Sequence, residues 1–152
     1  MTAAADCFNC EQNDRIDLLP ARERVAADDY WRVAHAFDTA LPGWLVLVPR
    51  RHVTLIADLT DAEAADLGWW QVRLSRALRT VTGCVKTYVF AEAEGYSHVH
   101  FHVIPRMGDL PVERRGPEVF GLLGTRSEGQ RVGDDQMEQL AVALAEELQP
   151  IR

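Results

Sequence analysis

Asp28-Asp29 signals a turn, and the aromatic, β-prone run that follows it over residues 30–37 predicts a strand. Leu41-Pro42-Gly43 breaks the run, and Trp44-Leu45-Val46-Leu47-Val48 resumes it as a continuous apolar strand ended by Pro49. The two read as an antiparallel hairpin. Thr60-Asp61-Ala62-Glu63 has the form of a capping box, hydroxyl and carboxylate placed to satisfy orphan amides at a helix start. Behind it Ala64, Leu67, Leu74, Leu78 and Val81 recur at helical spacing until Thr82-Gly83 supplies a stop. Within this amphipathic helix Trp69-Trp70 turns one indole toward the sheet or a partner subunit, and Gly68 permits close packing. Residues 84–91 predict another strand, with Cys84 a small buried hydrophobe, and residues 92–96 a return loop. Residues 107–130 are rich in Gly, Pro and charge around one apolar patch, Val119-Phe120-Gly121-Leu122-Leu123. Helical spacing returns over residues 134–148 through Met137, Leu140, Ala141, Leu144 and Leu148.

The stretch that stands out is Ser97-His98-Val99-His100-Phe101-His102-Val103-Ile104-Pro105-Arg106, where three of the five histidines alternate with apolar residues. A strand would set His98, His100 and His102 on one face, neighbours roughly 6.5–7 Å apart at Cα. A merely polar strand face is the plain alternative, but three imidazoles in five residues favour chemistry. Two kinds fit: several imidazoles converging on a catalytic metal with an open position for water, or one neutral imidazole attacking phosphorus while its neighbours donate to phosphate oxygens. Spacing alone does not choose between them.

Composition narrows the partners. A net charge of −7 and a pI near 5.2 argue against a general binder of nucleic-acid backbones, while leaving room for a small anionic ligand. The 152 residues fit one domain able to bury a real core. No signal-like start and no run approaching ~18 apolar residues is present, so a soluble cytoplasmic protein is expected, with residues 1–6 frayed. Three cysteines are an odd count for a disulfide framework, and Cys7-x-x-Cys10 brings two sulfurs into one tight turn, the usual knuckle of a structural zinc site. A redox dithiol normally sits in a βαβ pattern, which Glu11-Gln12-Asn13-Asp14 does not resemble. Zinc then needs about two more ligands, which the histidines can supply.

His98-Val99-His100-Phe101-His102-Val103-Ile104 resembles the signature of the histidine triad (HIT) family of nucleotide hydrolases and transferases, and Pro105-Arg106 continues it. Upstream, Phe37-Asp38, Pro42-Gly43, Leu45-Val46-Leu47-Val48-Pro49-Arg50-Arg51-His52 and Asp58-Leu59-Thr60 resemble, in order, that family's ribose-contacting acid, turn, strand, basic element and helix entry. Cys7-x-x-Cys10 looks like the knuckle of its zinc-containing bacterial branch. The resemblance covers roughly residues 7–106, with 107–152 as a C-terminal loop and helix extension of the same unit.

What it implies is an α+β fold, a sheet of about five antiparallel strands flanked by helices, assembled as a homodimer. His100 would be the nucleophile toward the α-phosphate of a dinucleoside polyphosphate, a nucleoside phosphoramidate or an adenylylated intermediate, forming a nucleotidyl-histidine that water cleaves. His102 would contact that phosphate, and the backbone carbonyl of His98 would orient His100. Asp38 and Ser97 would join His100 and His102 in binding the nucleotide. A structural zinc would be held by Cys7, Cys10, His52 and His98, a closed set with no open position. Neither a nucleic-acid polymer nor a membrane is an expected partner.

Three departures bear on substrate and rate. Trp44 stands where members usually carry a supporting histidine, and an indole cannot accept a hydrogen bond. The loop from Asp38 to Pro42 is about two residues shorter than in many members, and the phosphate-contacting Gly-Gln-Ser/Thr segment is here Gly95-Tyr96-Ser97, with Tyr96 at the mouth. Phe8-Asn9 and residues 16–19 do not clearly reproduce the family's apolar base pocket. Trp44 and the altered phosphate segment motivate a second reading, a nucleotide-binding regulatory or scaffold protein with weak or no catalysis. A hydrolase using the triad directly on a catalytic metal is a third.

Overall fold

The hairpin legible in the hydrophobic pattern forms the middle of the sheet. Strand β2 (Trp31–His35) and strand β3 (Leu45–Pro49) pair antiparallel from Trp31↔Pro49 to His35↔Leu45. Strand β5 (Phe101–Arg106) lies against β3, strand β4 (Lys86–Ala91) lies outside β5, and the two-residue strand β1 (Ala26–Ala27) closes the other edge. The order is β1-β2-β3-β5-β4, antiparallel throughout, so the fold is α+β with the expected five strands. The computed structural model describes residues 6–91, 97–124 and 130–151. Residues 1–5 of the start expected to fray and the return loop 92–96 with Gly95 and Tyr96 lie outside the described residues.

Because side chains alternate across a strand, the two faces of β5 serve different purposes. Phe101 and Val103 join Val33, Leu45 and Leu47 in a core closed by helix α2 (Asp61–Thr82) and helix α3 (Asp134–Leu148). On the opposite face Ile104 packs with Ala36, Leu41, Trp44, Leu110 and Val119, the last two from the segment after β5. Helix α2 begins at a complete capping box, Thr60 Oγ1 accepting from Glu63 N and Glu63 Oε2 from Thr60 N, and ends at left-handed Gly83. Of its paired indoles Trp70 faces the sheet, fully buried, its Nε1 donating to Asp28 Oδ2 over 2.8 Å. Helix α3 has the bounds its periodicity predicts and packs on α2, while Arg22 joins it to the 3₁₀ turn Ala21–Glu23 through Glu138 at 2.9 Å. Among the described residues no helix is long and apolar enough to cross a membrane.

Two local expectations change. Cys7-x-x-Cys10 is not a tight turn in open chain: Cys7 is the N-cap of helix α1 (Phe8–Asp14) and Cys10 lies in its first turn. Seven residues with no apolar periodicity are held helical by side-chain bonds, Asn13 Nδ2 donating to the carbonyls of Pro49 and Arg50 and Asn13 Oδ1 accepting from buried Arg32. The strand also begins later than the alternation predicts. His98 and His100 precede β5, because the Val99 amide donates to the Val53 carbonyl in a neighbouring loop rather than joining the ladder.

Gly43 turns the hairpin at φ +89°, where a Cβ would lie 3.1 Å from Pro105 Cγ and 3.4 Å from Leu78 Cδ2. Gly43→Ala is expected to destabilise the fold by about 2 kcal/mol through left-handed strain alone. A lower urea midpoint at unchanged slope checks it; an unchanged midpoint would show that the turn relaxes freely.

Candidate active site and metal cluster

The approach of α1 to the end of β3 and to the residues before β5 brings Cys7, Cys10, His52 and His98 together, their ligand atoms all within 4.8 Å of one another. His98 Nδ1 stands 3.2 Å from Cys7 Sγ and 3.6 Å from Cys10 Sγ, and His52 Nδ1 stands 3.1 Å from Cys10 Sγ. Sulfur and nitrogen ligands on one tetrahedral zinc are roughly 3.5 Å apart by its usual bond lengths, so spacing and donor set both fit. His98 is already in ligand form. Its Nε2 lies 2.9 Å from the Pro49 carbonyl, which can only accept, so the proton is on Nε2 and the Nδ1 lone pair faces the thiols. Burial, with His52, Arg32 and His100 nearby, pushes its pKa down and keeps the ring neutral. Burial and then the Cys7 thiol push Cys10 up to about 12, the state a bound cation would reverse by deprotonating the thiol. Arg32 braces the knuckle from below, Nε on Asn13 Oδ1 at 2.8 Å and a terminal nitrogen on Asn9 Oδ1 at 3.1 Å.

The other two triad imidazoles stand apart from this cluster in role and geometry. His100 Nδ1 lies 2.9 Å from the His98 carbonyl, which fixes the proton on Nδ1 and leaves the lone pair on Nε2. That is the arrangement a nitrogen nucleophile requires. His102 lies edge-on to His100, ring centroids 5.0 Å apart. Its Nδ1 accepts from Trp44 Nε1 over 3.0 Å. Burial first and His100 second lower the His102 pKa to about 4, so the ring is neutral at physiological pH. All three triad rings are buried.

Sequence reasoning missed several contributors. Phe120, read only as part of an apolar patch, packs edge-on against His102 at 5.2 Å, Trp44 at 5.5 Å and Phe90 at 5.2 Å. The segment carrying it is stitched to the shortened loop: Gly124 N donates to Asp38 O, Ala40 N and Thr39 Oγ1 to Leu122 O, and Val132 N to Thr39 O. His35, the fifth histidine, is spent on the hairpin, its Nδ1 donating to Ala36 O and its Nε2 accepting from Gly43 N. Phe8 and Phe37 form an exposed pair with centroids 5.8 Å apart, joining the knuckle helix to the residue before Asp38. Their separation in sequence hides this pair. Asp38 and Ser97 are both partly buried, Ser97 directly before His98.

Comparison with known proteins agrees with this picture. Solved structures similar in fold include a zinc-bound histidine triad family protein from Mycobacterium smegmatis, with 17% identity, TM-score 0.70, and 96% of this chain and 95% of that one covered. A histidine triad protein from Bradyrhizobium japonicum is similar at 28% identity and TM-score 0.67, over 82% of this chain and 89% of that one. Among curated proteins, an AP-4-A phosphorylase of Mycobacterium tuberculosis is 36% identical over 73 residues, 44% of this chain. The match spans only 37% of that protein's length. The HIT domain model matches residues 21–109, more than half the chain and including all three histidines of the triad, so this chain belongs to the HIT family.

Proposed function

We propose that this protein is a nucleotide hydrolase or transferase that cleaves at an α-phosphate through a nucleotidyl-histidine. The observation that carries the reading is the hydrogen bond from His100 Nδ1 to the His98 carbonyl, which places a proton on Nδ1 and so reserves Nε2 for the phosphorus, with the His102 ring edge-on beside it. His100 Nε2 attacks the α-phosphorus, and a P–N bond forms as the P–O or P–N bond to the leaving group breaks, its electron pair going with the leaving group. Water then adds to phosphorus as the P–N bond breaks, the electron pair of that bond returning to His100 Nε2 and the water's proton passing to solvent. His102 donates to a phosphoryl oxygen and stabilises developing charge, as positioned hydrogen-bond donors do. Asp38 binds the ribose, Ser97 lends a hydroxyl to phosphate, and the exposed Phe8–Phe37 pair offers the base an aromatic surface. Dinucleoside polyphosphates and nucleoside phosphoramidates are the substrate classes proposed, the former in keeping with the name of the mycobacterial relative.

The regulatory reading rests on Trp44 in place of a histidine and on the altered phosphate segment, the latter outside the described residues but for Ser97. The Trp44–His102 hydrogen bond supplies support at that position and favours an enzyme. The catalytic-metal reading needs an open coordination position, whereas Cys7, Cys10, His52 and His98 make a full set of four. A zinc there would act as a structural clamp on α1 and the residues before β5, and its chemistry would be confined to holding thiolates and imidazoles in place.

For assembly, the edge strand β4 and the adjoining groove suit a second copy. Val85 and Val89 on or beside β4 and Val72 on α2 are exposed around a groove of about 410 Å³. Two β4 edges meeting about a two-fold would satisfy each other's unpaired backbone groups and cover these valines. Sedimentation is expected to show a dimer that Val89→Arg converts to monomer; a monomeric wild type would end this assignment.

His100→Gly is expected to lower hydrolysis of a nucleoside phosphoramidate by roughly a thousandfold or more without unfolding the chain. Turnover at the wild-type rate in that variant would remove the nucleophile. About one zinc per chain is expected from metal analysis, lost in Cys10→Ser together with several degrees of thermal stability. Zinc-free protein with an unchanged melting temperature would refute the clamp.

A further inference from the structure

We infer that Trp44 is a positioning residue that holds His102 in one tautomer, as a fixed Nε2–H donor toward the bound phosphate. The inference deepens the hydrolase reading and rests on it for the phosphate. It begins with an asymmetry of donors. The other two triad rings are oriented by carbonyls, which accept; His102 is oriented by an indole, which only donates. A carbonyl leaves the far nitrogen of a neutral imidazole as an acceptor, and an indole leaves it as a donor. His100 and His102 are therefore set to opposite functions although they stand two residues apart, one presenting a lone pair and the other a proton.

The surroundings make this setting firm. Trp44 is fully buried, immediately before β3, and His102 sits opposite Val46 on that strand. The indole and imidazole planes meet at 88°, and Phe120 closes edge-on against both rings. Moving the imidazole proton to Nδ1 would set two donors against each other and leave the buried indole N–H without an acceptor, a cost that disfavours the other tautomer. The position has a further consequence in this chain. A histidine there could give or take a proton, whereas an indole N–H stays a donor across the physiological pH range, so His102 Nδ1 is closed to proton relay.

The test uses the full-length, zinc-loaded protein labelled in its histidine ring nitrogens. In the wild type, nuclear magnetic resonance is expected to find the His102 proton on Nε2 and a coupling across the Trp44 Nε1–H to His102 Nδ1 hydrogen bond. Trp44→Phe is expected to spread the proton over both ring nitrogens and lower kcat roughly tenfold, the worth of one hydrogen bond, at little-changed KM. Trp44→His, able to donate again, should restore the Nε2–H signal and most of kcat. A wild-type proton on Nδ1, or a Trp44→Phe variant with tautomer and kcat unchanged, overturns the inference. Should Trp44→Phe fail to fold, the wild-type measurement decides alone, since absence of the coupling refutes the bond. Failure of the hydrolase reading looks different: no nucleotide is turned over by the wild type while the His102 tautomer stands as stated.

Discussion

One carbonyl, that of Pro49, anchors the candidate site. It accepts from Asn13 Nδ2 at 3.1 Å and from His98 Nε2 at 2.9 Å, so it binds the knuckle helix and the first triad histidine to the end of β3. A proline at the end of a strand still offers its carbonyl although it has no amide to give. By fixing the proton on His98 Nε2 it aims Nδ1 at the two thiols, and the backbone of the same residue then holds His100. Arg32 is the second support. Its guanidinium is buried on β2 and spends its donors on Asn13, Asn9 and the Glu23 carbonyl, so the short helix α1 rests on hydrogen bonds where it has no apolar face. Removing a partner from such a buried charged network costs more than any single bond within it contributes.

The sheet transmits this arrangement because its two faces carry separate loads. The apolar face seals against α2 and α3 and supplies the burial that stabilises the domain's strands. The other face presents Trp44, His102 and Ile104 to the segment after β5, and Phe120 from that segment packs edge-on against His102. The same segment props the short 38–41 loop through hydrogen bonds, so the region least informative in sequence is what supports the loop that begins at Asp38.

Much of this was readable from residue patterns and some was not, for physical reasons. The hairpin, the capped helix with its glycine stop and the last helix follow from period and capping chemistry, which are local. The four candidate metal ligands follow from the resemblance of spaced motifs, and the structure brings the same four together. What escaped depends on contacts between residues far apart in the chain. Helix α1 lacks periodicity and exists because Arg32 and Pro49 hold Asn13; the Phe8–Phe37 and Trp44–Phe120 contacts span long separations. The alternation His-x-His-x-His read as a uniform strand row also misled, since a period of two is shared by a strand and by an extended segment that leaves the ladder. Only the third histidine lies in β5.

That break in the row separates the candidate metal cluster from the proposed chemistry. Had His98 remained in the ladder, its ring would share a face with His100 and His102 and compete for the same space. Leaving the strand early lets His98 turn its ring to Cys7, Cys10 and His52 while its carbonyl still reaches His100 Nδ1. One residue thus serves two sites through different atoms. The link between them is a single backbone unit, stiff because the Val99 amide that follows is tied to Val53. Whatever holds the His98 ring therefore bears on His100 through the orientation of that backbone unit, whose carbonyl fixes the His100 ring by its Nδ1.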